Sequence, residues 1–509
     1  MIDKATLVLG PPGTGKTHYL VERIKEAIGE GVHPSRIGVI SFTRKAIQEM
    51  MARACGEFNL DPRHFPYIRT SHSLGYHGLG LQKEDVMTKE DWNNIGRELN
   101  LFFEDDDKDT FEDGKGIPTL GGSGCAYLQI NHKARYRMVD LQTQYNEERN
   151  YNLFYAKLEQ FSNQLVEYKG ATNKFDFVDM IEKFNGIGEA PNLDYLFVDE
   201  AQDFTPLQWE MAEKVAEKSK KVYIAGDDDQ AIHRWTGVEV DIFKNSSKNI
   251  HVLNQSYRIP RAVHALARVI VTKIEDRHTK VFAAKEEKGL VEYINYLEDA
   301  PLHEGSWTIM ARTNGYAKDL AKAVRKMGYK YSIKDRPSVS LKLVENLYTW
   351  ADLCQDKPVV LQRIVNLYKS VPKRGDKKVV KHGSTQQLEA LPPETELTMS
   401  ELQIKFGLLK GAEHDGYDVL NVSEFEQDYI AALQRRGDDL LSDPRIKIST
   451  IHAMKGGEDD NCIVYLRSTK KAVQSRYQDD EHRAFYVAVT RAKHTLYLLQ
   501  TNHTWRYMI

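Results

Sequence analysis

ATLVLGPPGTGKT (residues 5–17) joins a short apolar run to a glycine-rich turn and a lysine–threonine pair. The apolar run, cut off by glycine and proline, reads as a buried parallel strand. HYLVERIKEAI (18–28) follows with helical spacing. Between them GPPGTGKT fits G-x-x-x-x-G-K-[ST], with strand and helix on the required sides. Gly10, Pro11, Pro12, Gly13, Thr14 and Gly15 would let backbone N–H groups curl round phosphate oxygens, and the helix N-terminus adds a favourable dipole. Lys16 would reach the β- and γ-phosphates and Thr17 would ligate Mg²⁺. A glycine turn before any helix is the structural alternative, and the flanking elements weigh against it.

Outward from this motif the pattern repeats. RIGVISFT (36–43) reads as a strand and KAIQEMMARA (45–54) as a helix. YLFVDEAQD (195–203) and KKVYIAGDD (220–228) are strands with acidic ends, separated by the helical LQWEMAEKVAEK. Strands alternating with helices predict a parallel sheet covered on both faces. Asp199, at a strand end, is placed to hold Mg²⁺, and Glu200 to deprotonate an attacking water. That base makes hydrolysis, rather than nucleotide binding alone, the expected chemistry. The polar interval 78–175 interrupts the alternation with EDDDKD (104–109), read as a solvated face, and GKGIPTLGGSG (114–124) before turning helical. A second α/β region is suggested by HVLNQS (251–256), SWTIMART (306–313), IKISTIH (446–452), CIVYL (462–466) and HTLYLLQ (494–500). Helical and charged segments interrupt it in turn.

With 509 residues, two to four domains are expected. A net charge of −3 means that any nucleic-acid binding must come from a local basic groove. The four cysteines, Cys55, Cys125, Cys354 and Cys462, form no CxxC pair, which fits a reducing compartment and no zinc or disulfide framework. No leader-like stretch precedes the motif, and no apolar run approaches the ~20 residues of a membrane span. A cytoplasmic protein with no membrane partner is expected.

GPPGTGKT, SFTRKAIQEM, TSHSL, VDEAQD, AGDDDQAIHRWTG (225–237), NQSYR, TIHAMKGGEDD and FYVAVTRAK occur in the order found in superfamily 1A DNA helicases of the UvrD/Rep/PcrA type. The resemblance runs through both sheet regions. It implies an α/β fold of two RecA-like P-loop NTPase domains, each with a mostly helical insertion. Residues 1–77 and 176–255 would form the first domain around an insertion at 78–175; 256–335 and 441–509 would form the second around a short insertion at 336–440. It also implies roles. Gln230 would sense the γ-phosphate, and Arg258 and Arg491 would be arginine fingers supplied by the second domain or its border. Tyr257 would stack on adenine and Glu458 would hold the ribose. Departures exist: no glutamine stands before Gly10, His18 replaces an arginine expected against the base, and Thr236 replaces an arginine after Trp235. The implied cofactors are ATP and Mg²⁺, without a strict demand for adenine.

Phe42, His72, Trp235, Thr450 and His452 follow strands at positions suited to a single-strand groove, where bases stack on aromatic faces. Phe42 alone would more often belong to a core. The resemblance makes AGDDDQAIHRWTG a lever, with a phosphate sensor at Gln230 and a base platform at Trp235. The expected function is an ATP-dependent helicase moving 3′ to 5′ on single-stranded DNA and acting at single/double-strand junctions. It is read as a monomer with a loading, repair or replication protein as a partner. The alternatives are a translocase that strips proteins from DNA with weak unwinding, and a nucleotide-gated DNA-binding protein. DNA-stimulated ATPase and unwinding of a tailed duplex discriminate among them.

Overall fold

The run Ala5–Leu9 (β1) lies inside a six-stranded sheet with Ile37–Ser41 (β2), Tyr67–Thr70 (β3), Leu193–Asp199 (β4), Ser219–Gly226 (β5) and Asn249–Val252 (β6). The order is β3-β2-β4-β5-β1-β6 and every pairing is parallel. The computed structural model describes residues 2–103, 123–148, 153–475 and 477–509. EDDDKD and nearly all of GKGIPTLGGSG therefore lie outside the described residues.

Alternation along the strands builds two cores, one on each face of the sheet. Leu7, Leu9, Leu196 and Val198 pack on one face with Phe184, Phe204, Trp209 and Phe243. Val8, Tyr195 and Phe197 pack on the other with Leu20, Val21 and Ile24 of the helix Lys16–Gly29. Each fully buried aliphatic side chain contributes about 1.5–3 kcal/mol. Helices Lys89–Leu99, Ser123–Arg137, Leu141–Glu148 and Tyr155–Thr172 fill the first interruption. They share a core of Trp92, Ile95, Leu128, Leu158 and Phe161.

The second sheet contains Leu290–Ile294 (β7), Trp307–Ala311 (β8), Tyr331–Ile333 (β9), Arg336–Pro337 (β10), Ile446–Thr450 (β11), Asp459–Tyr465 (β12) and Ala492–Leu499 (β13). Its order is β10-β9-β11-β8-β12-β13-β7, parallel except for the β9/β10 hairpin. Between β10 and β11, helices such as Leu341–Cys354 and Leu361–Ser370 enclose a core around Trp350, Ile364 and Tyr368. Among the described residues no helix is long and apolar enough to cross a membrane.

Two compact units result: residues 2–289 with 474–490, and 290–473 with 491–508. HVLNQS was expected in the second α/β region, yet its strand pairs with β1, with Thr6 opposite Asn249 and Leu9 opposite Val252. The segment 256–289 also belongs to the first unit, where its helix Arg261–Val271 lies against the helix Gln478–Val489.

Candidate nucleotide and nucleic-acid site

Because the first sheet is parallel, the carboxyl ends of its strands open at one edge. Leu9 pairs with Gly226 there, and Ser41 with Asp199. The loop Gly10–Gly15 leaves β1 at this edge, tied by the Gly10 N–H to the Gly226 carbonyl at 3.0 Å. Gly13 (φ 73°) and Gly15 (φ 79°) are left-handed, which only glycine adopts without strain. Lys16 Nζ donates to Gly10 O at 2.9 Å, and its stem lies where any Gly10 side chain would stand. Thr17 and His18 follow in the first turn of the helix.

The segment Ser256–Arg258 is built onto this loop. Ser256 Oγ donates to Pro12 O at 2.9 Å, and the Tyr257 N–H to Gly13 O at 2.8 Å. A Cβ at Gly13 would stand 2.4 Å from Arg258 Cβ. Arg258 was expected from the second domain or its border, but it belongs to the unit that carries the loop. The Tyr257 ring is 75% exposed beside it.

Asp199 ends β4 with 2% exposure, its Oδ1 accepting from the Glu200 N–H at 2.9 Å. Burial pushes its carboxyl up to about 7, Glu200's charge adds to this, and Lys16 opposes it. Glu200 is left-handed (φ 51°), a conformation that costs a non-glycine residue on the order of 1 kcal/mol and gathers at functional sites. Its carboxylate accepts from Gln202 Nε2 at 2.5 Å, and Gln202 Oε1 accepts from the Asp227 N–H at 3.0 Å. Asp199 and Glu200 are thus adjacent carboxyls at a strand end, the oxygen-donor type a divalent cation takes, though among the described residues no group of three or more His, Cys, Asp or Glu is gathered to hold a metal.

AGDDDQ continues from β5. Gln230 is buried and donates from Nε2 to Asp227 Oδ2 at 2.7 Å. The three aspartates find their partners within the protein. Lys280 Nζ stands 2.8 Å from Asp227 and 2.9 Å from Asp229, and also pairs with Asp228. Arg277 grips Asp229 through two bonds of 2.7 Å, and Arg483 Nε donates to the Asp228 carbonyl at 3.0 Å. Nothing local in EDRHTK (275–280) marks Arg277 or Lys280 as partners of residues some fifty positions earlier.

Trp235 is 48% exposed. Inside it, His233 meets Trp235 edge-on at 6.4 Å and stacks on Phe42 at 5.7 Å. Phe42 is buried and presents no open face, because β2 turns it into the core. His72 is likewise internal: Nε2 lies 2.9 Å from Tyr136 Oη, Phe177 meets its ring edge-on, and burial pulls its pKa down to about 4. Neither ring stands where a base could stack.

The remaining expected residues stand on the second unit. Thr450 ends β11, its Oγ1 accepting from the Ala453 N–H at 3.2 Å, and His452 is half-buried just beyond. Glu458 is exposed, 3.3 Å from Lys493. Arg491 is buried and donates from Nη1 to Gly457 O at 3.0 Å.

The family profile described as UvrD/REP helicase N-terminal domain matches residues 1–251, and that of the UvrD-like helicase C-terminal domain matches 345–503. A probable DNA helicase II homolog of Mycoplasma pneumoniae is 24% identical over 97% of this chain and 81% of its own length. The ATP-dependent DNA helicase Rep of Buchnera aphidicola subsp. Acyrthosiphon pisum is 25% identical over 71% of this chain and 60% of its own. A solved structure titled "The structure of PRRSV helicase" aligns with a TM-score of 0.36 and 9% identity over 99% of this chain and 54% of that chain, too slight a likeness to bear on the fold.

Proposed function

Since the chain belongs to the UvrD/Rep/PcrA type of superfamily 1A DNA helicases, we propose that this ATP-dependent DNA helicase moves 3′ to 5′ along single-stranded DNA and unwinds duplex. One observation carries most of the reading: Gln230 is buried at the phosphate-loop edge, while Trp235, on the same short segment, is half open to solvent. Such a segment can exchange a change in phosphate contacts for a change in base contacts.

In this reading Lys16 holds the β- and γ-phosphates and Glu200 takes the proton of the attacking water. Gln230 orients that water. Arg258 and Arg491 meet the charge that spreads over the transferring phosphoryl group; such guanidiniums are worth roughly 10³–10⁵ in rate. Tyr257 offers its exposed face to the base and Glu458 its carboxylate to the ribose. Mg²⁺, when bound by Thr17 and Asp199, supplies neutralisation of phosphate charge. Thr450 and His452 contact the DNA strand.

Matched duplexes with a 3′ or a 5′ single-stranded tail test the direction. With ATP and Mg²⁺ the 3′-tailed duplex is unwound and the 5′-tailed one hardly at all; equal or reversed preference would overturn the polarity. A second test addresses Trp235. Trp235→Ala weakens single-strand binding by about 1–3 kcal/mol, the worth of one stacked base, and Trp235→Phe restores part of it. Because half the ring is already in water, melting changes little, whereas truncating a core tryptophan costs ~3–5 kcal/mol. A large melting shift without a selective DNA defect would return Trp235 to the core.

A further inference from the structure

We propose that Arg137, on the first insertion, is a positioning residue that sets how Trp235 is presented to DNA. The proposal rests on the reading of Trp235 as a base platform. The last turn of the helix Ser123–Arg137 grips the sheet unit at three consecutive residues. Arg135 binds Asp176 at 2.9 Å, Asp179 at 2.6 Å and Glu182 at 3.0 Å, around the N-terminus of the helix Phe177–Ile187. Tyr136 meets His72. Arg137 reaches the segment that carries Trp235.

That segment is a single turn, Arg234–Thr236, closed by the Gly237 N–H on Arg234 O at 3.0 Å. Gly237 is left-handed (φ 101°) and lies directly under the Arg137 stem: a Cβ there would stand 2.9 Å from Arg137 Cγ and 3.5 Å from Lys133 Cγ. The guanidinium is held on the insertion side by Gln144 at 2.7 Å and Glu147 at 2.5 Å, while its Nε lies 3.4 Å from Glu239 beyond the turn. The Trp235 ring is half exposed, so its own packing holds it weakly. Its orientation is set by the two ends of its turn, and Arg137 covers one of them. The Glu147 and Glu239 pairs are partly solvated and contribute little to stability, so the arrangement serves placement more than folding.

The test is the ATPase of the full chain titrated with a homopolymeric deoxythymidine strand. Arg137→Ala raises the half-saturating DNA concentration by about 2- to 30-fold, the range for coupling residues that touch neither ligand. Turnover without DNA and maximal turnover stay unchanged. Arg137→Lys, which keeps the stem over Gly237, restores most of the affinity. In a Trp235→Ala background Arg137→Ala adds no further loss, because both act through one contact. A folded Arg137→Ala with unchanged half-saturation, an equal fall in maximal turnover, or additivity with Trp235→Ala would each overturn the proposal. Should Arg137→Ala fail to fold, Glu239→Gln gives a smaller shift in the same direction, and no shift there overturns it as well. If Trp235→Ala itself leaves DNA binding intact, the platform reading fails. If Trp235→Ala is defective and Arg137→Ala silent, only the positioning role fails.

Discussion

Replacing Lys16 by alanine lowers ATP turnover by on the order of 10²–10³-fold or more, as expected when one preorganised donor to developing negative charge is removed. The fold survives, because the ammonium makes one bond, to Gly10 O, at the surface edge of the sheet. The loss has two sources. The phosphates lose a cation, and Asp199 and Glu200 lose the positive charge that opposes the rise in the Asp199 pKa. Nucleotide affinity therefore falls along with turnover, and Lys16→Arg recovers charge but not the reach of the lysine over Gly10. Steady-state ATPase with a parallel melting curve checks this. Near-normal turnover in a well-folded variant would remove Lys16 from the nucleotide site.

Lys280→Met has the largest expected effect on stability, a loss of about 3–5 kcal/mol, the range for stripping one partner from a buried ion pair. Burial alone would lower the Lys280 pKa, but Asp227, Asp229 and Asp228 raise it above its ordinary value. Burial also pushes Asp228 up, but its bonds to His278 and the charge of Lys280 hold it well below the usual carboxylate range. The sign follows from these directions. Asp228 contributes stability above the ordinary carboxylate pKa of ~3.9 that is lost as pH falls below it; Lys280 contributes stability that is lost only as pH rises past ~10.4. At neutral pH both contributions are in force. Without the lysine the carboxylates must take up protons to remain buried, so acid relieves the variant. Its deficit in urea denaturation shrinks between pH 7.5 and pH 5. A deficit below about 1 kcal/mol at pH 7.5 would show that water enters the cluster and screens it.

The elements legible in the sequence are those whose signals are local. ATLVL, RIGVISFT and YLFVDEAQD are apolar because both faces of their strands are covered, and the glycines of the phosphate loop sit where φ is positive. What escaped the sequence is non-local. β6 is an edge strand whose residues are mostly exposed, so NIHV lacks a buried strand's apolarity and its partner, β1, lies some 240 residues away. His72 has the company of a base-contacting motif, yet Tyr136 from an insertion helix closes over it. The acidic end of KKVYIAGDD gives no sign of its partners, because Arg277 and Lys280 arrive from a loop that carries no pattern of its own. Trp235 alone among the aromatics of the first unit singled out for DNA keeps an open face.

The order in which the chain is made bears on the first unit. It takes in residues 2–289, leaves for the whole of 290–473, and returns with 474–490. At about 5–20 residues per second, the returning helix Gln478–Val489 emerges roughly 10–40 s after the sheet it completes. Throughout that interval the Asp228 and Asp276 carbonyls lack the guanidinium of Arg483 that they will share. Phe485 and Val489, both buried in the finished unit, are missing as well. The nascent first unit is thus a half-closed body, open to chaperones and proteases until residues 474–490 have returned to it. A ribosome halted before residue 478 would hold a phosphate loop already formed on a domain not yet sealed.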